Sequence, residues 1–223
     1  MLKNIHASVF VLIIVAGILS LAHAADNDTR SSKWKSVYFH DFRKGPPVGG
    51  KGWGIIKFVH DGLSLNPGKE PTGVYFFPFT HPNEWMMTTK FKFVTKGAEA
   101  QLLTRNSPKL NAESGIVLYH WLKNQGSVRQ MINKKNRAMD FFYLPFDLKL
   151  NHWYTMTFVY YHGTVKGYVD GVLRIKKTNV PAFHGVYTEP HFSAQRGTVI
   201  FQNVRIFKRV GNSSGRSNPN LLD

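Results

Sequence analysis

Paired carboxylates are one chemical signal in a sequence, because enzymes that cleave glycosidic bonds hold two carboxyl groups about 5–10 Å apart across the sugar. Two residues at positions i and i+2 of one strand would supply such a pair on a single face. Between Asp41 and Glu189, no two Asp or Glu residues lie within five residues of each other. A pair from a single strand is therefore excluded, whereas a pair drawn from two strands stays open.

By position, the candidates for an acid, a base or a nucleophile are Glu113, His120 and Asp140. Glu113 and His120 flank a short apolar run, and Asp140 follows a basic segment. Each has a structural alternative. Glu113 would form an ion pair with Arg105 or Lys109, His120 would be a half-buried strand residue, and Asp140 would be a turn carboxylate.

The metal-binding and nucleophilic motifs that we considered are missing. The chain contains no cysteine, and no H-x-H or D-x-D-x-D spacing occurs that would suit a divalent ion. There is also no nucleophile elbow and no phosphate-binding glycine loop. We therefore expect no cofactor, with Asp41 as the one weak candidate for a structural calcium ion.

Sugar binding requires an aromatic platform that stacks on a pyranose ring and polar groups that bind its hydroxyls. The aromatic candidates are Trp85, Trp121 and Tyr143, and Trp153 is expected to pack in the core or at a sheet edge. Arg129 and Asn133 lie in a basic segment that would supply hydrogen-bond donors. The alternative is that most of these aromatic side chains fill the core and that the basic segment is a solvated hairpin.

The elements that position these residues read as β-strands, because short apolar runs alternate with Gly, Pro and Asn, and 14% of the residues are aromatic. Asp170-Gly171 predicts a tight hairpin, since a type I′ turn needs positive φ at both central residues. Residues 104–113 read as a long loop. The predicted strands are residues 37–42, 54–58, 73–77, 85–94, 115–122, 153–161, 166–169, 172–175 and 198–207.

The ends of the chain predict export. An apolar run, residues 9–22, ends in the A-x-A pattern Ala22-His23-Ala24, which is typical of a signal peptide. We therefore predict a signal peptide (1–24), a polar leader (25–32), one all-β domain (33–210) and a disordered tail (211–223). The expected location is secreted or periplasmic, with a bacterial envelope favoured and no transmembrane segment after cleavage.

The formal net charge of +16 is the most unusual bulk property. Such a field attracts anionic partners. Acidic polysaccharide or an anionic envelope surface is expected, and nucleic acid is not, since no recognition motif appears.

Residues 153–175 resemble the concanavalin A-like lectin/glucanase superfamily, in which a Trp opens an alternating strand and the next hairpin reads Y-V-D-G. The segments SGIVLY (114–119) and GTVIFQNVRIFK (197–208) are similar to strands of the bacterial 3-keto-disaccharide hydrolase domain, formerly DUF1080, and the pattern also fits laminin G-like domains. The resemblance implies a two-sheet antiparallel jelly-roll sandwich. For the hydrolase domain it also implies cleavage of oxidised sugars, although no catalytic residue can be carried over by motif.

The sequence favours a secreted carbohydrate-interacting sandwich that binds an anionic glycan without catalysis. Two alternatives stay open: a glycoside hydrolase of the 3-keto-disaccharide hydrolase type, and a structural or adhesion module of the cell envelope.

Overall fold

The computed structural model describes residues 34–79, 84–106, 112–132, 136–161, 163–178 and 188–210. The predicted signal peptide, leader and tail, and Asn133, lie outside these residues. Within the described ranges, no helix is long and apolar enough to cross a membrane.

Sixteen strands follow one another along the described chain: β1 (Trp34–Asp41), β2 (Lys51–Trp53), β3 (Ile55–Val59), β4 (Gly62–Asn66), β5 (Gly73–Phe76), β6 (Trp85–Phe93), β7 (Glu99–Asn106), β8 (Ala112–Tyr119), β9 (Gln125–Ile132), β10 (Asn136–Tyr143), β11 (Trp153–Tyr161), β12 (Thr164–Val169), β13 (Val172–Lys177), β14 (Thr188–Gln195), β15 (Val199–Phe201) and β16 (Asn203–Arg209). Two short 3-10 helices, Phe42–Lys44 and His120–Leu122, connect strands.

The strands form two antiparallel sheets. The nine-stranded sheet runs β13-β12-β11-β6-β15-β4-β3, and β16 joins β6 and β1 beside this path. The seven-stranded sheet runs β10-β9-β8-β7-β14-β5-β2. This architecture confirms the all-β, two-sheet antiparallel sandwich predicted from the sequence.

The core lies between the sheets, because alternate residues of each strand point inward. Strand β11 contributes Tyr154, Met156, Phe158 and Tyr160, all buried. From the seven-stranded sheet, Phe192 stacks on Phe201 of β15 with ring centroids 4.0 Å apart. The other face of the seven-stranded sheet is therefore free to carry polar side chains.

The hairpin predicted at Asp170-Gly171 is present between β12 and β13, and with β11 these strands form an antiparallel meander. Asp170 and Gly171 have φ values of 50° and 75°, as a type I′ hairpin requires.

The prediction of a loop over residues 104–113 is wrong at both ends, which belong to β7 and β8. The error has a physical cause. Outward-facing positions of this sheet carry polar residues, so the apolar run that normally indicates a strand is absent. Pro190 likewise lies in β14, a central strand, where proline is unusual.

Candidate functional site

The site lies on the outer face of the seven-stranded sheet. The pairing register places five positions in one row: Arg129 (β9), Gly115 (β8), Leu103 (β7), His191 (β14) and Phe76 (β5). Gly115 has no side chain, and the side chain of Leu103 covers it, with Cδ2 2.6 Å from the position that a Cβ would take.

A cleft of about 200 Å³ occupies this face. It is lined by Trp53, Thr72, Val74, Phe76, Gln101, Leu103, Arg105, Glu113, Arg129, His191, Ser193 and Gln195. Aromatic, aliphatic, amide, hydroxyl and charged groups thus share one surface, as is usual in ligand sites.

Glu113 lies between Arg129 of the adjacent strand β9 and His191 of β14, which is two strands away. Its Oε1 lies 3.6 Å from Nη2 of Arg129, and its Oε2 lies 3.7 Å from Nε2 of His191. The side chains of Glu113 and Arg129 are only 17% and 15% exposed. The cluster is therefore largely shielded from water, which strengthens its electrostatic interactions.

His191 is buried, and its Nδ1 lies 3.1 Å from the carbonyl oxygen of Glu189. Burial lowers the pKa of His191, and this outweighs the attraction of the Glu113 carboxylate, which favours the charged ring. The imidazole is therefore neutral at pH 7. With Nδ1 donating to Glu189, Nε2 is left as the acceptor that faces Glu113 and the cleft.

A second polar cluster surrounds Glu99 on the same face. Trp121 donates from Nε1 to Oε1 of Glu99 over 3.1 Å, and Arg196 Nε lies 3.1 Å from the same oxygen. Gln101 donates to Oε2 over 3.3 Å. The Arg196 guanidinium also covers the Trp121 ring, 4.7 Å from its centroid.

Aromatic rings stand at both ends of the face. Trp53 packs on Phe76 with centroids 5.4 Å apart, at the β2 edge. On the edge strand β10 stand Phe141 and Tyr143, which are 48% and 70% exposed. Trp121, 44% exposed, follows β8 and contacts Glu99 of β7.

Two buried oxygens at the cleft have no hydrogen-bond partner among the described residues: Gln101 Oε1 and Ser193 Oγ. They occupy paired positions on β7 and β14. A buried polar atom without a partner costs stability. These two groups therefore favour a ligand or an ordered water in the cleft.

The structure places four of the sequence-predicted residues on this face. Glu113 and Arg129 line the cleft, Tyr143 stands exposed on the edge strand β10, and Trp121 stands exposed beside Glu99 of β7. Trp153 lies on the outer side of the opposite sheet, beneath Lys90 and Lys92.

Three other candidates lie elsewhere. Trp85 is 1% exposed and belongs to the core, so it cannot stack on a ligand. His120 packs against Phe93 and accepts a hydrogen bond from the Gly97 amide, and burial lowers its pKa. Asp140 forms an ion pair with Lys177 of the nine-stranded sheet.

Asp41, the calcium candidate, binds Arg43 through both carboxylate oxygens and caps the first 3-10 helix. The hydrogen bonds from Arg43 lower the pKa of Asp41. No cluster of three or more potential metal ligands occurs in the part of the chain that the structure describes.

Sequence reasoning missed ten of the twelve residues that line the cleft, all except Glu113 and Arg129. Strand β14 contributes Glu189, His191, Ser193 and Gln195 to one face, and Phe192 and Ala194 to the other. This period of two was visible in TEPHFSAQ and could have revealed the strand. Trp53 carried no such signal, because its strand is three residues long.

No family model and no curated protein matches the sequence. Solved structures do match its fold. A carbohydrate-binding module, CBM66 from Bacillus subtilis, is 12% identical with a TM-score of 0.57 over 79% of this chain and 96% of its own. The Bacillus licheniformis β-glucanase is 16% identical with a TM-score of 0.60 over 78% and 98%.

The κ-carrageenase from Pseudoalteromonas carrageenovora, solved with an oligotetrasaccharide of κ-carrageenan, is 12% identical with a TM-score of 0.61, over 80% of this chain and 96% of its own. At these identities the likeness shows the fold alone. The chain therefore has the jelly-roll, concanavalin A-like sandwich fold of carbohydrate-binding modules and glycan-active enzymes.

Proposed function

We propose that this protein binds a carbohydrate chain in the cleft on the outer face of the seven-stranded sheet, without cleaving it. The observation that carries the proposal is the cleft itself, where the exposed Trp53 ring, packed on the buried Phe76 ring, adjoins a row of buried polar side chains. The similar folds include carbohydrate-binding and glycan-active proteins, which supports a sugar as the ligand.

The chemistry of the lining suits a sugar. The Trp53 ring, 46% exposed, offers a flat apolar surface for a pyranose face. Gln101 Oε1 accepts a hydrogen bond, Ser193 Oγ both donates and accepts, and Arg129 donates. Together these groups would recognise a pattern of ring hydroxyls, once a side-chain movement exposes the Gln101 and Ser193 oxygens, which are shielded from solvent in the structure.

Charge in this sheet is balanced, since its described strands contain equal numbers of basic and acidic residues. The basic residues are Lys51, Arg105, Arg129 and Arg137, and the acidic residues are Glu99, Glu113, Asp140 and Glu189. A hydroxyl-rich glycan needs no excess charge. A preference for acidic polysaccharide in the cleft stays a prediction.

Hydrolysis is the second candidate, and one observation favours it. Glu113 and Glu189 occupy the same row on either side of Arg105, so their backbones are two strand spacings apart, about 10 Å. Carboxyl groups of inverting glycosidases are separated by about 6.5–9.5 Å. Against it, Glu113 lies 3.6 Å from the guanidinium group of Arg129, and Glu189 lies 3.8 Å from the ammonium group of Lys51. Both carboxyl groups therefore already have ion-pair partners within the protein.

A glycan array followed by calorimetry and product analysis tests both candidates. Binding with no released sugar supports the binding function. Released product that disappears in both Glu113→Gln and Glu189→Gln would establish the hydrolase instead. If neither binding nor product is found with neutral, acidic and 3-keto sugars, the cleft is not a carbohydrate site and both candidates fail.

A further inference from the structure

The positive charge of the molecule is concentrated in the sheet opposite the cleft. The strands of the nine-stranded sheet carry eleven Lys and Arg: Lys35, Lys57, Lys90, Lys92, Lys166, Arg174, Lys176, Lys177, Arg205, Lys208 and Arg209. Their only acidic residue is Asp41, which is bound to Arg43. The strands of the cleft sheet, in contrast, are balanced. Net charge alone does not explain such a partition between two sheets of one domain.

Seven of these residues define what we call the basic face, because alternation along their strands turns them away from the core. They are Lys57, Lys90, Lys92, Lys166, Lys176, Arg205 and Arg209.

The basic face is broad in two directions. Lys57 of β3 and Lys176 of β13 lie on opposite edges of the sheet path, six strand spacings or about 29 Å apart. Along the strands, the row of Lys92 and the row of Lys166 are separated by six residues of β6, about 20 Å.

Like charges are held close together on this face. Lys166 and Lys176 are directly paired across β12 and β13, an arrangement that destabilises a sheet. Lys90 and Lys92 both lie over the Trp153 ring, 5.5 and 4.8 Å from its centroid. The ion pair of Lys92 with Asp61 relieves part of the repulsion between Lys90 and Lys92.

Aromatic rings orient the arginines. Arg205 lies over Phe39, 4.9 Å from the ring centroid, and Arg209 lies over Tyr161 at 3.8 Å. Cation–π contacts hold the two guanidinium groups against the sheet, so these charges lie in a layer close to the sheet surface.

We propose that the basic face docks on an anionic lipid bilayer and leaves the glycan cleft facing away from the membrane. A two-dimensional layer of cations matches a planar array of phosphate headgroups. A single acidic polysaccharide chain would instead be held by a line of cations or a groove, and the described cleft lies on the other sheet. The proposal is independent of the function assigned to the cleft.

The experiment measures binding of the full chain to vesicles by sedimentation. One set contains one third anionic phosphatidylglycerol in phosphatidylcholine, and the other contains phosphatidylcholine alone. Each basic residue near an anionic bilayer contributes roughly fivefold to partitioning, so the triple variant Lys57→Gln, Lys176→Gln, Arg205→Gln should weaken binding about 100-fold. These three side chains are exposed, so their substitution should not unfold the protein, and circular dichroism checks this.

The matched control removes the same charge from loops: Lys69→Gln, Lys96→Gln and Lys123→Gln, all exposed. It should lose less than about fivefold if position matters rather than net charge. The measured quantity is binding to the anionic vesicles minus binding to the phosphatidylcholine vesicles, which cancels any contribution of the apolar segment 9–22 that all variants share. About 500 mM salt should abolish this difference.

Three outcomes would overturn the proposal. One is equal loss in the two triple variants, which would reduce the effect to net charge. The second is the absence of any preference for anionic vesicles. The third is tight, salt-sensitive binding of heparin that the basic-face variant alone loses, with no vesicle binding, which would make an acidic polysaccharide the partner.

Discussion

His191 and Glu113 meet across three adjacent strands of the cleft sheet, β14, β7 and β8. Burial lowers the pKa of His191 and keeps its imidazole neutral, and Glu113 forms an ion pair with Arg129 on its other side. A neutral acceptor and an ion pair thus stand next to each other at the cleft, and this arrangement depends on pH.

Lowering the pH should destabilise the fold through His191. Its ordinary pKa is 6.5, and burial lowers that value in the folded state. Below about pH 6.5 the unfolded chain takes up a proton at this residue that the folded chain does not. The free energy of unfolding therefore decreases as the pH is lowered below about 6.5, and it is fully retained above that pH. Thermal unfolding at pH 7.5 and pH 5 measures this loss.

His191→Gln should reduce that pH dependence, although His120, whose pKa burial also lowers, keeps part of it. The control is Ser193→Ala, a substitution of another buried polar residue of β14 that carries no titratable group and should leave the pH dependence unchanged. Equal slopes for the wild type and His191→Gln would contradict the assignment.

Trp53→Ala tests the aromatic platform. Loss of a stacking ring should weaken glycan binding about tenfold or more, with little change in melting temperature because the ring is 46% exposed on an edge strand. Calorimetry with the glycan identified on the array measures the affinity. Trp153→Ala removes a Trp from the opposite sheet and should leave that affinity intact. Equal affinity in the two variants would place the sugar elsewhere.

At the scale of the element, the missing side chain of Gly115 lets β8 pair closely with β7. A Cβ on Gly115 would lie 2.1 Å from the carbonyl oxygen of Leu102 and 2.7 Å from Cα of Leu103. Both atoms belong to the β7 backbone, which cannot move without breaking the pairing that aligns Glu113 with Arg105.

Gly115→Ala should therefore destabilise the protein by about 2 kcal/mol or more, and denaturant unfolding measures the change. Gly167→Ala on β12 is the matched control, since its nearest contacts are side-chain methyl groups, Ile175 Cγ2 at 2.9 Å and Ile116 Cδ1 at 3.2 Å. Side chains adjust more easily than backbone, so the control should cost less. A smaller loss in Gly115→Ala would show that β7 and β8 separate freely.

At the scale of the molecule, the two outer faces divide the work between them. One carries a balanced cleft with aromatic rings at its ends, and the other carries the layer of cations. Under the two proposals, the protein would hold a glycan in the cleft while its basic face is attached to an anionic bilayer.

Export makes a prediction of its own. The A-x-A pattern should direct cleavage after Ala24, so the secreted protein should begin at Ala25. Intact-mass measurement of the protein recovered outside the cytoplasm of the expressing cell checks this. Replacing Ala22 and Ala24 with Leu should block cleavage and retain the longer chain. A full-length protein recovered from the wild-type sequence would contradict the prediction.

Local patterns in the sequence determined the sandwich. The alternation in β11 and the Asp170-Gly171 turn depend on neighbouring residues only, so the predicted strand and hairpin are present as expected. The sequence also determined the excess of positive charge and, through scarce carboxylates, the absence of a catalytic pair on one strand.

Only the tertiary structure decided which residues share a face. His191 comes from a strand far along the chain from those of Glu113 and Arg129, and the three meet because β8 pairs with β9 and β7, and β7 with β14. The packing of the two sheets placed Trp85 in the core rather than at a ligand, and it left the excess of cations on one sheet. Strand order arises from long-range packing of two sheets, which no local pattern encodes.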